Sequence, residues 1–143
     1  MKDRPILTLV RHAHAGWPAY IGRDFDRPLT PRGHDEALAT ARAILSSGLR
    51  PEILLSSPAR RARETAVILA QELELSADSI RFEDRLYNAS VDGLEEAVRD
   101  AAIRSAHVML VAHNPGISEY ARRLTADAAL VPLPPAGWVT GRL

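Results

Sequence analysis

Pro5-Ile6-Leu7-Thr8-Leu9-Val10 runs directly into Arg11-His12, and the rest of the chain is best read outward from this stretch. A short, near-continuous apolar run fits a strand buried on both faces, as in a parallel sheet covered by helices. Two further runs share this character: Ile53-Leu54-Leu55 after Pro51, and Val108 to Ala112. Ile80-Arg81-Phe82 reads as a weaker edge strand, and Trp138 to Leu143 as a last short strand after the break at Pro132 to Pro135.

Helical patterns fill the intervals. Thr30-Pro31 supplies a cap and a proline at the first helical position, and Ala37, Leu38, Ala41, Ile44 and Leu45 follow at helical spacing until Gly48. Ser57-Pro58 repeats that signal before Ala62, Thr65, Ala66, Leu69 and Leu73. Ser90 to Arg104 carries Leu94, Ala97, Val98 and Ala101, with Ser90 or Asp92 as cap and Glu95 placed to close a capping box with Asp92. Asn114-Pro115-Gly116 opens a helix through about Leu124. Strands alternating with helices predict a three-layer α/β/α sandwich with a mostly parallel central sheet.

The 143 residues read as one domain, 1–143, with no repeat or Gly/Ser linker. With 46% hydrophobic and 25% charged residues, the composition is that of a folded globular chain. Eighteen basic and eighteen acidic side chains cancel, which argues against nucleic acid as a partner and makes any basic site local. No cysteine is present, excluding disulfides, thiolate metal sites and a cysteine nucleophile. The first apolar run is too short for a signal-peptide core or a membrane span, so a cytoplasmic protein without a membrane partner is expected. Lys2 is the only lysine, the other 17 basic residues being arginine. Guanidinium grips phosphate in a bidentate fork, but the chain is also alanine-rich, so compositional bias explains most of the excess. Position must decide which arginines matter.

Ligands of open α/β sheets bind at the carboxyl ends of the strands. Three strands deliver Arg11-His12, Ser57-Pro58-Ala59-Arg60-Arg61 and His113-Asn114-Pro115 to that edge. None of these segments carries an acidic side chain, and two lead into proline-marked helix starts with free backbone N–H groups. A compact cationic pocket for a small tetrahedral anion, such as phosphate, is expected.

With these residues in view, the chain resembles the histidine phosphatase superfamily, with its phosphoglycerate-mutase-like fold, and within it the small SixA-like phosphohistidine phosphatases. The resemblance rests on Leu9-Val10-Arg11-His12-Ala13, Arg27-Pro28-Leu29-Thr30-Pro31-Arg32-Gly33, Ser57 to Thr65, Leu86-Tyr87-Asn88-Ala89-Ser90, and Val111 to Gly116, in the family's order. It implies that His12 is the phosphate-accepting nucleophile, with Arg11, Arg61 and His113 around the phosphoryl oxygens. Arg61 takes the family's arginine position because it precedes Ala62 and lies four before Thr65, so Arg60 and Arg63 are expected to point elsewhere. Neither metal nor cofactor is implied. Asn88 stands where larger members carry a glutamate acid, and an amide cannot protonate a leaving group. Either Asp26, Glu83 or Asp84 substitutes, or the substrate needs little acid help, as with a phosphoramidate whose imidazole can leave already protonated.

The expected function is hydrolysis of a phosphoramidate or phosphomonoester through a phosphohistidine intermediate, with a phosphorylated protein histidine, or else a small phosphorylated substrate, as partner. Alternatives are a module that binds phosphate or a phosphoprotein without turnover, and a small-molecule phosphomonoesterase of the same family, with mutase or sugar-phosphatase activity disfavoured in so short a chain. A metal site built on His12, His14 and His113 is disfavoured, because His14 falls in the loop and Arg11 and Arg61 would repel a cation. Trp17 and Tyr20, in the long loop 12–29, read either as a substrate rim or as packed aromatics. His34 and His107 read as surface or element-end residues.

Overall fold

The computed structural model describes residues 3–143, so Lys2 lies outside the described residues. Five strands form one sheet in the order β3-β2-β4-β1-β5. They are β1 (Ile6–Arg11), β2 (Ile53–Ser56), β3 (Ile80–Phe82), β4 (His107–Ala112) and β5 (Trp138–Arg142). The β1–β4, β4–β2 and β2–β3 pairs are parallel, and β5 runs antiparallel along β1.

Four helices cover the sheet: α1 (Pro31–Ser46), α2 (Arg60–Glu72), α3 (Val91–Ala102) and α4 (Gly116–Thr125). Successive strand residues point to opposite faces, and the core divides accordingly. Leu7, Leu9, Leu55, Val108 and Leu110 pack with α3 and α4 residues such as Leu94, Val98 and Ile117. Val10, Leu54, Met109 and Val111 pack with Ala41 and Ile44 of α1 and Ala62, Ala66 and Leu69 of α2. This is the expected three-layer sandwich. Among the described residues no helix is long and apolar enough to cross a membrane.

Local signals held unevenly. Thr30 caps α1 by accepting the Gly33 N–H at 3.1 Å, and Gly48, at φ 84°, takes the left-handed position past its end that glycine adopts without strain. Ser90, not Asp92, caps α3. The Asp92–Glu95 capping box does not form, because Asp92 lies inside the first turn rather than at the cap; both carboxylates instead pair with Arg123. Ser57-Pro58 does not start α2: the helix begins two residues later, with Ala59 at the cap and no side-chain cap bond. The Ser57 hydroxyl is instead turned to a histidine.

The loop 12–29 is not structureless. Its ends are bridged at Ala15 and Leu29, and it contains a 3-10 turn at Asp24–Asp26. His107 is an element-end residue but not a surface one, since it is buried with Nε2 2.8 Å from Thr8 Oγ1.

Candidate active site

Strand register builds the centre of the site. β1 and β4 pair with Arg11 opposite Ala112, so the next residues, His12 and His113, leave adjacent parallel strands side by side. Their ring centroids are 5.1 Å apart. Arg61, from the first turn of α2, completes the group and is only 5% exposed. A cavity of about 320 Å³ is walled by Arg11, His12, His14, Arg27, Arg61 and His113, with Asn88 and Asn114 at its side. The predicted residues Arg11, His12, Arg61, His113 and Asn88 are thus brought together. Arg60 and Arg63 are not: Arg60 pairs with Glu64, and Arg63 is exposed.

The His12 ring is fixed by its own backbone. Nδ1 lies 2.8 Å from the Ala13 carbonyl, which can only accept, so Nδ1 carries the proton and Nε2 keeps its lone pair. Burial, together with the cationic Arg61, Arg11 and Arg27, lowers its pKa to about 4. Burial, with His12, Arg61 and Arg11 close by, lowers that of His113 to about 3. Both imidazoles are neutral at pH 7, that of His12 with an unprotonated Nε2 in a pocket walled by guanidinium groups. Arg11 donates to the Leu133 carbonyl at 3.0 Å, and Asn114 donates to the same oxygen at 3.1 Å. The proline-broken segment before β5 therefore aims two pocket residues.

The pocket differs from the carboxylate-free site expected of the strand ends. Asp24, from the 3-10 turn, accepts from Arg61 Nη2 at 3.0 Å and from the Tyr87 hydroxyl at 2.7 Å through the same oxygen, and from Arg27 at 3.2 Å through the other. Burial opposes its charge, but these hydrogen bonds outweigh it and hold the carboxyl down to about 2. The other acids considered serve elsewhere: Asp26 pairs with Arg23 and Glu83 with Arg85, while Asp84 opens a 3-10 turn. Asn88 adopts φ 57°, a left-handed conformation that asparagine tolerates better than most residues.

Several functional candidates went unassigned in the sequence. Asp24 stands in Arg23-Asp24-Phe25-Asp26-Arg27, where nothing local separates it from Asp26. Arg27 lies within a quoted motif but had no role; its guanidinium lines the pocket and stacks 5.0 Å from the Trp17 ring. Trp17 and Tyr20 are 56% and 81% exposed, so they are not packed aromatics, and neither lines the pocket. His14 is tied to Thr30 Oγ1 at 2.8 Å. Among the described residues no group of three or more histidines and carboxylates is placed to hold a metal.

A mostly parallel sheet that brings two histidines and three arginines together beyond the carboxyl ends of its strands defines an α/β protein with a cationic pocket suited to a small oxyanion. The chain belongs to the histidine phosphatase superfamily (branch 1), which matches residues 7–116. It is 32% identical, over 83% of its length, to an uncharacterized chloroplast protein of Arabidopsis thaliana, of which it spans only 58%. It superposes with TM-score 0.82 and 31% identity on SixA of Agrobacterium tumefaciens, to which phosphohistidine phosphatase activity is ascribed, covering 96% of this chain and 91% of that one. With a protein histidine phosphatase SixA solved in complex with tungstate, the TM-score is 0.74 at 25% identity, covering 83% of this chain and 76% of the other.

Proposed function

We propose that this chain hydrolyses phosphoramidate or phosphomonoester bonds through a phosphoryl group carried on His12, and that its preferred substrate is a protein phosphohistidine. The observation that carries this reading is the His12 ring: neutral, its Nδ1–H held by the Ala13 carbonyl, and its free Nε2 set among Arg11, Arg27 and Arg61. In the first step the Nε2 lone pair forms the P–N bond as the bond to the leaving group breaks, and the guanidinium groups stabilise charge on the equatorial oxygens. In the second, water attacks phosphorus, the P–Nε2 bond breaks, and inorganic phosphate leaves. The tungstate bound by a SixA structure, a tetrahedral oxyanion, supports the same kind of ligand here.

A site with Asn88 in place of an acid, and with the Asp24 carboxyl held deprotonated, favours substrates whose leaving group needs no proton from the protein. Phosphohistidine is such a substrate. A cytoplasmic setting belongs to the same proposal.

The test is acid quenching during turnover of an aryl phosphate. Acid-labile phosphate on His12, lost in His12→Ala together with turnover and unaffected by EDTA, is the expected result. Turnover retained by the variant, or abolished by EDTA, overturns the reading. Phosphate binding without labelling or turnover identifies a binding module instead.

A further inference from the structure

Beyond His113 lies a second cavity of about 330 Å³, between the segment 86–90 and the start of α4. It shares His113, Asn88 and Asn114 with the anion pocket, so the two spaces adjoin across those three side chains. Their charges are opposite. The anion pocket is walled by three arginines, whereas the second cavity has no basic residue other than the shared His113, which is neutral. Its polar wall is Ser90, Asn88, Asn114 and Glu119; its apolar wall includes Leu86 and Leu94. Glu119 stands exposed on the first turn of α4 and forms no ion pair among the described residues, unlike Glu95 and Asp92 nearby.

We infer that this second cavity receives the leaving group and that Glu119 selects leaving groups carrying a positive charge. The inference rests on the phosphatase reading above and deepens it. A substrate with a dianionic phosphoryl end and a cationic nitrogenous end matches the two cavities in order: phosphoryl among Arg11, Arg27 and Arg61, cation toward Glu119. A phosphohistidine ring protonated on its second nitrogen has this form. When Nε2 of His12 bonds phosphorus, the P–N bond breaks, its electron pair returns to the leaving nitrogen, and neutral imidazole departs with the proton it already held. No proton donor is required at residue 88. Glu119 keeps that ring protonated to higher pH, and an aryl phosphate, which departs as an anion, gains nothing from it.

Glu119 also complements the helix dipole at the start of α4, a role that would affect stability alone. The experiment separates the two by measuring, with the full chain, the ratio of kcat/KM for a phosphohistidine peptide to that for 4-nitrophenyl phosphate. Glu119→Gln is expected to lower this ratio about fivefold, the upper range for a solvent-accessible ion pair, and Glu119→Lys about 20-fold. Glu119→Asp should restore most of it. The alkaline limb of the pH profile for the peptide should move to lower pH in Glu119→Gln. A ratio within about twofold of the native chain in both the Gln and Lys variants overturns the assignment, even if their thermal stability falls. Native enzyme that labels His12 and turns over the aryl phosphate but no phosphoramidate overturns this inference and leaves the phosphatase reading standing. A native chain that never labels His12 removes both.

Discussion

Arg61 donates twice to Asp24, from Nη1 to its backbone carbonyl at 2.8 Å and from Nη2 to its carboxylate at 3.0 Å. A guanidinium has five N–H donors, so this grip fixes the plane of Arg61 while leaving donors for an anion. The carboxylate also places a negative charge beside a site meant for phosphate. These two consequences oppose each other, and Asp24→Asn separates them. Inorganic phosphate should inhibit the variant more tightly, by about threefold or more, because a like charge is removed. Its kcat should fall by about tenfold, because Arg61 loses its alignment. Steady-state inhibition with an aryl phosphate measures both; if neither moves, Asp24 does not act on the site. Arg61→Ala, which removes the donor itself, should cost about 100-fold in kcat.

The two histidines make acid the condition to which the fold is most sensitive. Their folded pKa values, about 4 for His12 and about 3 for His113, lie below the 6.5 of the unfolded chain. Unfolding therefore takes up protons below pH 6.5, so stability is full above that value and falls as the pH drops toward 4. Asp24 acts in the same direction but lower down: its contribution is present above pH 3.8 and is lost as the pH falls toward 2. Urea midpoints should thus decline between pH 6.5 and 4.5, before the aspartate protonates, and His12→Asn should flatten part of that slope. A midpoint constant from pH 7 to 4.5 would show that the imidazoles are not buried as described. In catalysis the sign is the same: kcat/KM should hold as the pH is lowered and fall only as His12 protonates near pH 4.

Strand ends and register were legible because they are local. Arg11, His12 and His113 follow directly from apolar runs, and once β1 and β4 pair in parallel the two histidines must meet. Arg61 was found through a motif rather than through periodicity. What remained hidden came from the loop 12–29 and the segment 130–136, whose shape is set by long-range hydrogen bonds: Arg27 to the Gly16 carbonyl, Arg11 to Leu133, Arg61 to Asp24. Pro, Gly and polar residues mark such stretches as irregular without saying where they fold back. Ser57 was misread for a related reason. A serine before proline is a common helix cap, and only the neighbouring strand shows that its hydroxyl has a histidine to hold.

That hydroxyl carries a third prediction. Ser57 Oγ accepts the Ala59 N–H at 3.2 Å and lies 2.7 Å from Nε2 of His113. Its own hydrogen finds an acceptor at Nε2, which places the ring proton on Nδ1, a buried nitrogen with no protein partner. A donor held in that way is suited to a phosphoryl oxygen. Ser57→Ala releases the tautomer. We expect kcat to fall by about tenfold, less than the roughly 100-fold for losing a preplaced donor outright because part of the population keeps the donating tautomer, with the fold intact. Nitrogen NMR of the ring should report protonation at Nδ1 in the native chain and a mixture in the variant. An unchanged tautomer would assign Ser57 to the α2 turn alone.

The first turn of α1 is tied to the pocket through a glycine, and this gives the sharpest structural test. Thr30 donates its N–H to the His14 carbonyl at 3.0 Å and binds the His14 ring through Oγ1, while Gly33, one turn on, lies against the same peptide. A Cβ at Gly33 would stand 2.1 Å from the His14 carbonyl oxygen, a backbone atom that cannot turn aside. Gly33→Ala must therefore push α1 and the His14 segment apart. Overpacking of this kind costs about 2 kcal/mol, which for a domain of this size lowers Tm by roughly 4–8 °C. Because His14 and Arg27 share the pocket wall, KM for phosphate substrates should rise in the folded fraction as well. Gly22 provides the control within the same loop, since a Cβ there would meet nothing within 4 Å. Gly22→Ala should leave both Tm and KM unchanged, so a Gly33→Ala chain as stable as Gly22→Ala would mean that α1 does not press on the site.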